Sequence, residues 1–341
     1  MKVCILGSGA YGLALSTIFN KNNYEVVCYS NNRKEVHSLT KTRLTPRIEN
    51  FTIPKEIKFT NNIKQAVKSS TLVVIAVPAR SVDEITKKIS KYITSKMHIL
   101  IATKGIENKT CQFMSEVVER NINTSKIAVI SGPTFAKDIV TSSPIGLSLA
   151  STNLLTRDLV KTMLENETTK VRETLDIIGV EVCGSIKNVM AILSGILDGM
   201  NTCESTKALF LTEALNDIKE LIDKLGGNKK TILSFAGFGD ILMTCTSTSS
   251  RNFTYGKLLG EGKYTLANDY QKTTTVEGLY TLKSMKELIK KEKVKKEHVD
   301  KKWIATVVIV AFLTSFTLSF ISEMTIPNLS LWLGILVTLF F

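Results

Sequence analysis

The sequence predicts an α/β fold in which a doubly wound parallel sheet precedes an all-helical second domain. Apolar, β-branched runs recur along the first half of the chain, and amphipathic, helix-like stretches separate most of them. A glycine-rich turn directly follows the first of these runs. Beyond about residue 182, helix-forming residues with helical periodicity replace the strand-like runs. Strands and helices that alternate at this spacing are typical of a parallel sheet.

The individual elements follow in order along the chain. Strands are predicted at residues 3–6, 25–29, 71–77, 98–102, 127–130 and 145–149. Helices are predicted at residues 11–22 and 82–92 in the sheet domain, and at 185–200 and 205–225 in the helical domain. We therefore divide the chain into a sheet domain at 1–182, a helical domain at 183–285, a lysine-rich linker at 286–302 and an apolar segment at 303–341.

The composition limits the classes of protein to consider. A chain of 341 residues with 44% hydrophobic and 22% charged residues is expected to fold as about two domains. Its six cysteines include no C-x-x-C pair, so neither a zinc ribbon nor a disulfide framework is indicated, and we predict no metal site. The start, M-K-V-C-I-L-G, is typical of a strand and a turn rather than a signal peptide, which predicts a cytoplasmic location for both domains.

The net charge of +13 and the pI near 9.3 leave a nucleic-acid binder as an alternative. Part of this charge lies in residues 286–302, which contain eight lysines and four acidic residues. The segment contains no arginine and no aromatic residue, both of which nucleic-acid recognition favours. We therefore predict no nucleic-acid partner.

The chain ends in two apolar runs. The first, from Trp303 to Ile321, is uncharged for 19 residues, about the length of a transmembrane helix, and the second extends from Leu329 to Phe341. A lysine-rich segment beside an apolar run agrees with the positive-inside rule. The sequence thus predicts a transmembrane hairpin at 303–341. A buried core hairpin, or a joined or frameshifted reading frame, would explain the same pattern.

The strongest local motif is Gly7-Ser-Gly9-Ala-Tyr-Gly12, which follows a strand and begins a helix. This is the context that a dinucleotide-binding turn requires. Gly7 allows the tight turn, Gly9 lets the backbone approach a pyrophosphate, and Gly12 lets the helix pack closely on the strand. The N–H groups at the start of the helix favour an anion. The motif therefore predicts NAD or NADP as the cofactor.

The choice between the two cofactors stays open. The acidic residue that usually binds the ribose is missing at the end of the second strand, where residues 28–33 read C-Y-S-N-N-R. Arg33 makes NADP admissible, but Arg33 is equally well explained as the solvated start of a helix.

Five further segments follow in order: A-V-P-A (76–79), A-T-K-G-I-E (102–107), I-S-G-P-T-F-A-K-D (130–138), I-G-V-E-V-C-G-S-I-K-N-V-M-A-I (178–192) and G-F-G-D-I-L-M-T-C-T-S-T-S-S-R-N (237–252). With these motifs, residues 1 to about 280 resemble the NAD(P)-dependent glycerol-3-phosphate dehydrogenases of bacteria. The resemblance implies a Rossmann domain and a helical substrate domain. It also implies hydride transfer between NAD(P)H and dihydroxyacetone phosphate, which gives sn-glycerol 3-phosphate for phospholipid synthesis.

The resemblance implies that Lys187 and Asp240 are the catalytic residues. Reducing a ketone needs a proton donor at the carbonyl oxygen, and a buried lysine with a lowered pKa can serve as donor and as base. Lys187 lies among apolar residues, which disfavours the alternative of an exposed surface lysine. Asp240 would contact a substrate hydroxyl and hold the lysine in place, although an aspartate after G-F-G also fits a helix N-cap.

Further contacts are implied residue by residue. The substrate would be bound by Lys104, Gly132, Thr134, Lys187, Asp240, Thr244, Ser250, Arg251 and Asn252. The cofactor would be bound by Gly7, Gly9, Ala10, Tyr11, Gly12, Asn31, Lys104, Ala136, Arg251, Thr275 and Glu277. The S-R-N cluster at 250–252 suits a phosphate dianion, because an arginine is always charged and planar and its neighbours donate hydrogen bonds. An isolated S-R-N would also fit a capped surface turn.

The chain departs from the family in two places. Family members usually carry Asn, Arg and Glu where this chain has Ser205, Glu213 and Asp217. The lysine-rich segment and the apolar tail also replace the family's closing helical subdomain. These departures leave a catalytically impaired, membrane-tethered nucleotide-binding module as an alternative. The family suggests a homodimer, which the altered C-terminus could disturb.

Overall fold

A computed structural model describes the backbone of residues 1–291 and the side chains of residues 1–284. The predicted hairpin at 303–341 and the predicted linker beyond Lys291 lie outside the described residues. The chain divides into two compact units. The sheet unit contains residues 1–185 and 225–240, and the helical unit contains residues 186–224 and the described residues from Ile241 onward.

The sheet unit alternates strands with helices, as the sequence predicts. Its strands are β1 (Lys2–Leu6), β2 (Glu25–Tyr29), β3 (Lys58–Thr60), β4 (Leu72–Ile75), β5 (His98–Ile101), β6 (Ile127–Ser131), β7 (Ile145–Ala150) and β8 (Thr169–Thr174). Its helices are α1 (Ala10–Lys21), α2 (Arg33–Thr42), α3 (Ile63–Val67), α4 (Val82–Ser90), α5 (Met114–Asn121), α6 (Ala136–Val140) and α7 (Leu154–Leu164). Short helical turns add Ala79–Ser81, Lys229–Leu233 and Phe235–Gly239.

The eight strands form one sheet in the order β3-β2-β1-β4-β5-β6-β7-β8. Neighbouring strands run parallel from β3 to β6, and β7 and β8 are parallel to each other. The β6–β7 pair is antiparallel, with Val129 opposite Ala150. The connection between these two strands holds only the five-residue helix α6, so the chain turns back beside β6. The prediction of a parallel sheet is therefore confirmed except at this pair.

All six predicted strands are present, but β3 and β8 were not predicted. Both lie at the edges of the sheet. β3 has three residues, and β8 reads T-K-V-R-E-T with only two buried side chains. Edge strands are exposed on one side and often polar or short, so they lack the apolar run by which a buried strand is detected.

Helix α8 (Ile177–Gly199) begins in the sheet unit and continues into the helical unit. It begins earlier than the predicted helix at 185–200. Among the described helices, α8 alone is long and apolar enough to span a membrane by length and composition. Its most apolar window is 83% buried, which is the state of a core helix. The predicted transmembrane segments are therefore not supported by any described helix.

The rest of the helical unit contains α9 (Glu204–Lys224), α10 (Asp240–Thr246), α11 (Arg251–Gly260), α12 (Tyr264–Thr273) and α13 (Glu277–Lys291). Helix α10 belongs to this unit from its second residue onward. The predicted helix at 205–225 corresponds to α9. Asp198 near the end of α8 binds Lys207 on α9 and Lys257 on α11, each at 2.7 Å. These two ion pairs connect three helices of the unit.

Helices α8 and α11 approach each other through glycines. A Cβ atom on Gly256 would lie 2.0 Å from the carbonyl oxygen of Ile192, and one on Gly260 would lie 2.2 Å from that of Ile196. Gly195 and Gly199 on α8 show the same closeness to the backbone of α11. Real Cβ atoms are not found at such distances. The two helices can therefore pack this closely only because these positions are glycines, which have no side chain.

Candidate active site

The glycine turn has the geometry that a dinucleotide requires. Gly7 has a φ of +116°, and a Cβ atom there would lie 2.6 Å from the carbonyl oxygen of Ala76. A Cβ atom on Gly12 would lie 2.3 Å from the carbonyl oxygen of Gly7, whereas one on Gly9 would meet no atom within 4 Å. Gly7 therefore permits the tight turn and Gly12 the close helix, and the backbone at Gly9 is open to a phosphate.

Helix α1 presents its N-terminus at this turn. Gly9 is the N-cap residue, and no side chain caps the helix there. Ala10 and Tyr11 form its first turn and are partly exposed. Unpaired N–H groups at a helix start favour an anion, so the residues present fit the pyrophosphate of NAD or NADP.

A carboxylate that the sequence analysis missed lies beside the turn. Glu35 on α2 accepts hydrogen bonds from the hydroxyls of Ser8 and Ser30, at 2.6 and 2.5 Å, and forms an ion pair with Arg47. Asn32 caps α2 by accepting hydrogen bonds from the amides of residues 34 and 35. Asn31, predicted as a cofactor contact, is exposed after β2. The capping residue Asn32 is the sequence signal that could have placed Glu35 in the first turn of a helix just after β2.

The sheet unit brings Lys104 and Asp240 together. Lys104, in the loop after β5, donates a hydrogen bond to Oδ2 of Asp240 at 2.8 Å. The hydroxyl of Ser131, at the end of β6, lies 3.3 Å from the same oxygen. Asp240 is fully buried, and the Lys104 ammonium lies 5.9 Å from the centre of the Tyr11 ring. A partly exposed lysine, paired with a buried aspartate, thus lies beside a residue of the glycine turn.

The backbone of Asp240 decides against the N-cap alternative. Its φ of −74° and ψ of −34° are helical, and Asp240 is the first residue of α10. An N-cap residue has extended angles and precedes the first helical residue. The side chain therefore contributes a carboxylate to the cluster with Lys104 rather than a cap to the helix.

The remaining predicted residues of the sheet unit lie in the segment between β6 and α6. A Cβ atom on Gly132 would lie 2.2 Å from the carbonyl oxygen of Gly146, so only glycine fits beside β7. The buried Thr134 hydroxyl lies 3.3 Å from the phenol oxygen of Tyr11. Ala136 is the first residue of α6. Thr134 thus connects this segment to the glycine turn.

A cavity of about 10 Å³ lies within the sheet unit, and its walls include Lys104, Ser131, Glu181 and Ser185. Its volume is that of about one water molecule. The Ser185 hydroxyl is buried and has no hydrogen-bond partner among the described residues. Glu181 accepts hydrogen bonds from the amide and hydroxyl of Ser115 at 2.9 and 2.5 Å. Burial raises the pKa of Glu181 to about 7, against the lowering effect of Ser115.

The helical unit positions Lys187 on α8. Its side chain is only 8% exposed, which excludes the alternative of a surface lysine. Its ammonium donates a hydrogen bond to the hydroxyl of Thr244 on α10 at 3.1 Å. Thr244 is buried as well. A buried lysine is a group that a protein rarely retains without a use.

The S-R-N segment begins helix α11. Ser250 is its N-cap and accepts a hydrogen bond from the amide of residue 253 at 3.3 Å, and Arg251 is exposed. Asn252 is buried and binds Asn188 on α8 at 3.0 Å through its side-chain nitrogen. Its side-chain oxygen accepts the amide of Gly278 at 2.9 Å. Asn188 directly follows Lys187 in the chain but was not among the predicted site residues.

Thr275 and Glu277, the last predicted cofactor contacts, lie just before and at the start of α13. Both are partly exposed. Among the residues with described side chains, no group of three or more His, Cys, Asp or Glu residues could hold a metal ion. The chemistry available at these sites is therefore that of a buried lysine, a partly exposed lysine, a buried carboxylate and an exposed arginine.

Comparison with known proteins assigns the chain to a family. The profile of the NAD-dependent glycerol-3-phosphate dehydrogenase N-terminus matches residues 2–156, and that of the C-terminus matches residues 176–308. The glycerol-3-phosphate dehydrogenase [NAD(P)+] of Staphylococcus epidermidis is 33% identical over 295 residues, which are 85% of this chain and 89% of that relative. The corresponding protein of a Thermoanaerobacter species is 34% identical over 284 residues, which are 83% and 86% of the two chains.

A solved structure from the same family has a similar fold. The crystal structure of glycerol-3-phosphate dehydrogenase from Coxiella burnetii superposes with a TM-score of 0.81 at 30% sequence identity. The superposition covers 86% of this chain and 90% of that one. The C-terminal profile also extends past residue 285, the predicted end of the helical domain.

Proposed function

We propose, since the chain belongs to the family of NAD-dependent glycerol-3-phosphate dehydrogenases, that it reduces dihydroxyacetone phosphate to sn-glycerol 3-phosphate. The chain is an NAD(P)-dependent oxidoreductase, and bound NADH or NADPH supplies the hydride. The glycine turn at Gly7, Gly9 and Gly12, with Ala10 and Tyr11, binds the pyrophosphate through backbone N–H groups.

Lys187 is the proton donor to the carbonyl oxygen of the ketone, and it is the base in the reverse direction. This assignment is supported by the burial of the ammonium beside Thr244, at a hydrogen-bond distance of 3.1 Å. The Thr244 hydroxyl orients the ammonium, because it accepts one of the three N–H bonds. General acid catalysis of this kind contributes about 10²–10⁴-fold to a rate.

Asp240 and Lys104 form the second part of the catalytic machinery. The Asp240 carboxylate accepts the substrate hydroxyl, and Lys104 and Ser131 hold that carboxylate in place. The positive charge of Lys104 also attracts the negatively charged substrate. Gly132, Thr134 and Ala136 contribute the adjoining wall, and Thr134 contacts Tyr11 of the glycine turn.

Ser250, Arg251 and Asn252 bind the substrate phosphate. The exposed Arg251 guanidinium at the start of the ten-residue helix α11 suits a dianion, since both the guanidinium and the helix N-terminus favour negative charge. Asn252 is held in place by Asn188 and by the amide of Gly278. Thr275 and Glu277 follow as cofactor contacts, together with Asn31 and Arg251.

Within this proposal, residues 1–182 form the cofactor domain and residues 183–285 the substrate domain. The catalytic domains work in the cytoplasm, the product enters phospholipid synthesis, and the chain acts as a homodimer. Membrane attachment through 303–341 stays a prediction. Fractionation of cells that express the full chain tests it, because a peripheral protein is released by carbonate and an integral one is not.

The observation that carries the proposal is the buried Lys187. We expect the purified full chain to oxidise NADH or NADPH when dihydroxyacetone phosphate is added. Lys187→Met, which keeps the length of the side chain and removes its charge, is expected to lower kcat by about 10³-fold or more. The matched control is Lys224→Met, which changes an exposed lysine at the end of α9 and is expected to leave kcat unchanged.

Two results would contradict the proposal. A folded wild-type chain that binds nucleotide but turns over no dihydroxyacetone phosphate would be the impaired module. A Lys187→Met enzyme with more than about a tenth of the wild-type kcat would show that another residue donates the proton.

A panel of non-phosphorylated hydroxyacids tests the phosphate site. Substrates without a phosphate are expected not to be turned over.

A further inference from the structure

The carboxylate of Glu35 lies between the glycine turn and the residues that follow β2. Oε2 of Glu35 accepts hydrogen bonds from Ser8, inside the glycine turn, and from Ser30, directly after β2. Both serine side chains are buried, whereas Glu35 is partly exposed. The carboxylate is therefore attached to the turn that holds the pyrophosphate and remains accessible from outside.

This position is the carboxyl edge of β1 and β2. The two strands are parallel and adjacent, and the amide of Gly7 donates a hydrogen bond to the carbonyl of Tyr29 at 3.0 Å. In dinucleotide-binding sheets, the acidic residue at this edge accepts the hydroxyls of the adenosine ribose. Here the residues that directly follow β2 are polar and include no acid, and the carboxylate comes instead from the first turn of α2.

The local contacts keep the carboxylate charged. Burial alone raises the pKa of Glu35, but the hydrogen bonds from Ser30 and Ser8 and the Arg47 guanidinium outweigh burial and lower it. Asn32, the N-cap of α2, binds the amide of Glu35 and so fixes where its side chain begins. An ionised carboxylate has about four acceptor positions. The two serines and Arg47 use three, which leaves room for a ribose hydroxyl.

We propose that Glu35 selects NAD(H) over NADP(H) in this chain. Its carboxylate accepts a ribose hydroxyl of the adenosine and repels a 2′-phosphate. Arg47 pairs with this carboxylate, so its charge is not presented to a phosphate by itself. Arg33, exposed at the start of α2, is the competing cation that would favour NADP(H). The inference rests on the proposed function only in that the chain binds a nicotinamide dinucleotide.

The test measures nucleotide binding without substrate. Dissociation constants of the full chain for NADH and NADPH, and for 5′-AMP and 2′,5′-ADP, are obtained by calorimetry or ligand fluorescence. We expect wild-type protein to bind NADH more tightly than NADPH. Glu35→Gln keeps an acceptor for the serines but loses the charge, and we expect it to lower the NADPH-to-NADH ratio of dissociation constants by about tenfold or more.

Two further variants make the result specific. Glu35→Asp keeps the charge and is expected to retain most of the discrimination even where it weakens binding of both cofactors. Glu84→Gln, on α4 in an exposed pair with Lys88, removes the same charge elsewhere and is expected to leave the ratio unchanged. Thermal unfolding of each variant, alone and with nucleotide, shows whether the fold is retained.

Three outcomes would overturn the proposal. The first is a wild-type chain that binds NADPH as tightly as NADH. The second is a Glu35→Gln variant that weakens both nucleotides equally, which would make Glu35 a support of the glycine turn only. The third is a selective loss of NADPH binding in Arg47→Ala, which would assign the 2′-phosphate to Arg47. A chain that binds both nucleotides without turnover would contradict the proposed function and leave this inference standing.

Discussion

The sheet unit and the helical unit hold their functional side chains by different means. In the sheet unit, the glycine turn, Lys104 and Ser131 lie at the ends of β1, β5 and β6, so hydrogen-bonded strand pairing positions them. In the helical unit, Lys187 and Asn252 lie on α8 and α11, whose spacing depends on glycines. Backbone hydrogen bonds between strands hold the sheet unit together, whereas the contact of α8 with α11 depends on glycines that bring the two backbones close. The following predictions, ordered from the largest expected effect, test that difference.

The largest effect is expected for the charged pair of the sheet unit. Asp240→Asn keeps the size of the side chain but removes the charge that faces Lys104 in a buried site. Breaking a buried ion pair on one side costs about 3–5 kcal/mol of unfolding free energy, and the partial exposure of Lys104 places this variant near the lower end of that range. Chemical denaturation measures this cost, and kcat for dihydroxyacetone phosphate is expected to fall with it. A variant as stable as wild type would show that strand pairing, and not the pair, dominates in this unit.

Glu181 is expected to make the stability of the sheet unit depend on pH. Burial raises its pKa from 4.5 to about 7, so the folded chain holds a proton that the unfolded chain releases. Its contribution is fully present below pH 4.5 and is lost as the pH rises through about 7. A shift of this size corresponds to about 3 kcal/mol.

Glu181→Gln is the variant that tests this dependence. Glutamine is neutral at every pH, so the fall in melting temperature between acidic and neutral pH is expected to become shallower. Ser115→Ala serves as a comparison, because it removes a hydrogen bond to Glu181 without removing the titratable group. Identical pH profiles for wild type and Glu181→Gln would exclude Glu181 as the source.

Gly256→Ala tests the packing of the helical unit directly. The added Cβ atom would lie 2.0 Å from the carbonyl oxygen of Ile192, so α8 and α11 must move apart. Overpacking of this kind costs about 1–3 kcal/mol of unfolding free energy. The matched change in the sheet unit is Gly239→Ala, where the new atom would lie 3.4 Å from Pro133, and a smaller loss is expected. Equal losses at the two glycines would show that the close approach of the backbones at Gly256 does not limit the packing of α8 on α11.

The smallest effect is expected at the N-cap of α11. Ser250→Ala removes the hydrogen bond to the amide of residue 253, which costs about 1 kcal/mol. If Ser250 also binds the substrate phosphate, KM for dihydroxyacetone phosphate rises while kcat changes little. Ser250→Asp restores a capping oxygen but adds a negative charge, so it is expected to recover stability and to raise KM further. Recovery of both would exclude a phosphate contact here.

Local pattern was sufficient for much of this molecule. Six strands, the glycine turn and the long helices follow from hydrophobic periodicity and from glycine spacing, because these signals lie within short stretches of sequence. The ordered motifs predicted the family, which the matches to its profiles confirm. The assignment of Lys187, Asp240 and the S-R-N segment stays a prediction, supported by the burial of the lysine and the aspartate.

The sequence by itself therefore determined the fold class, the cofactor class and the family. Only the tertiary structure decided that β6 and β7 are antiparallel, that Asp240 pairs with Lys104, and that Glu35 returns from α2 to the glycine turn. Each of these depends on residues that are distant in the chain or on different elements. Such contacts form only when whole helices and strands pack together, so the local spacing of residues does not show which side chains will meet.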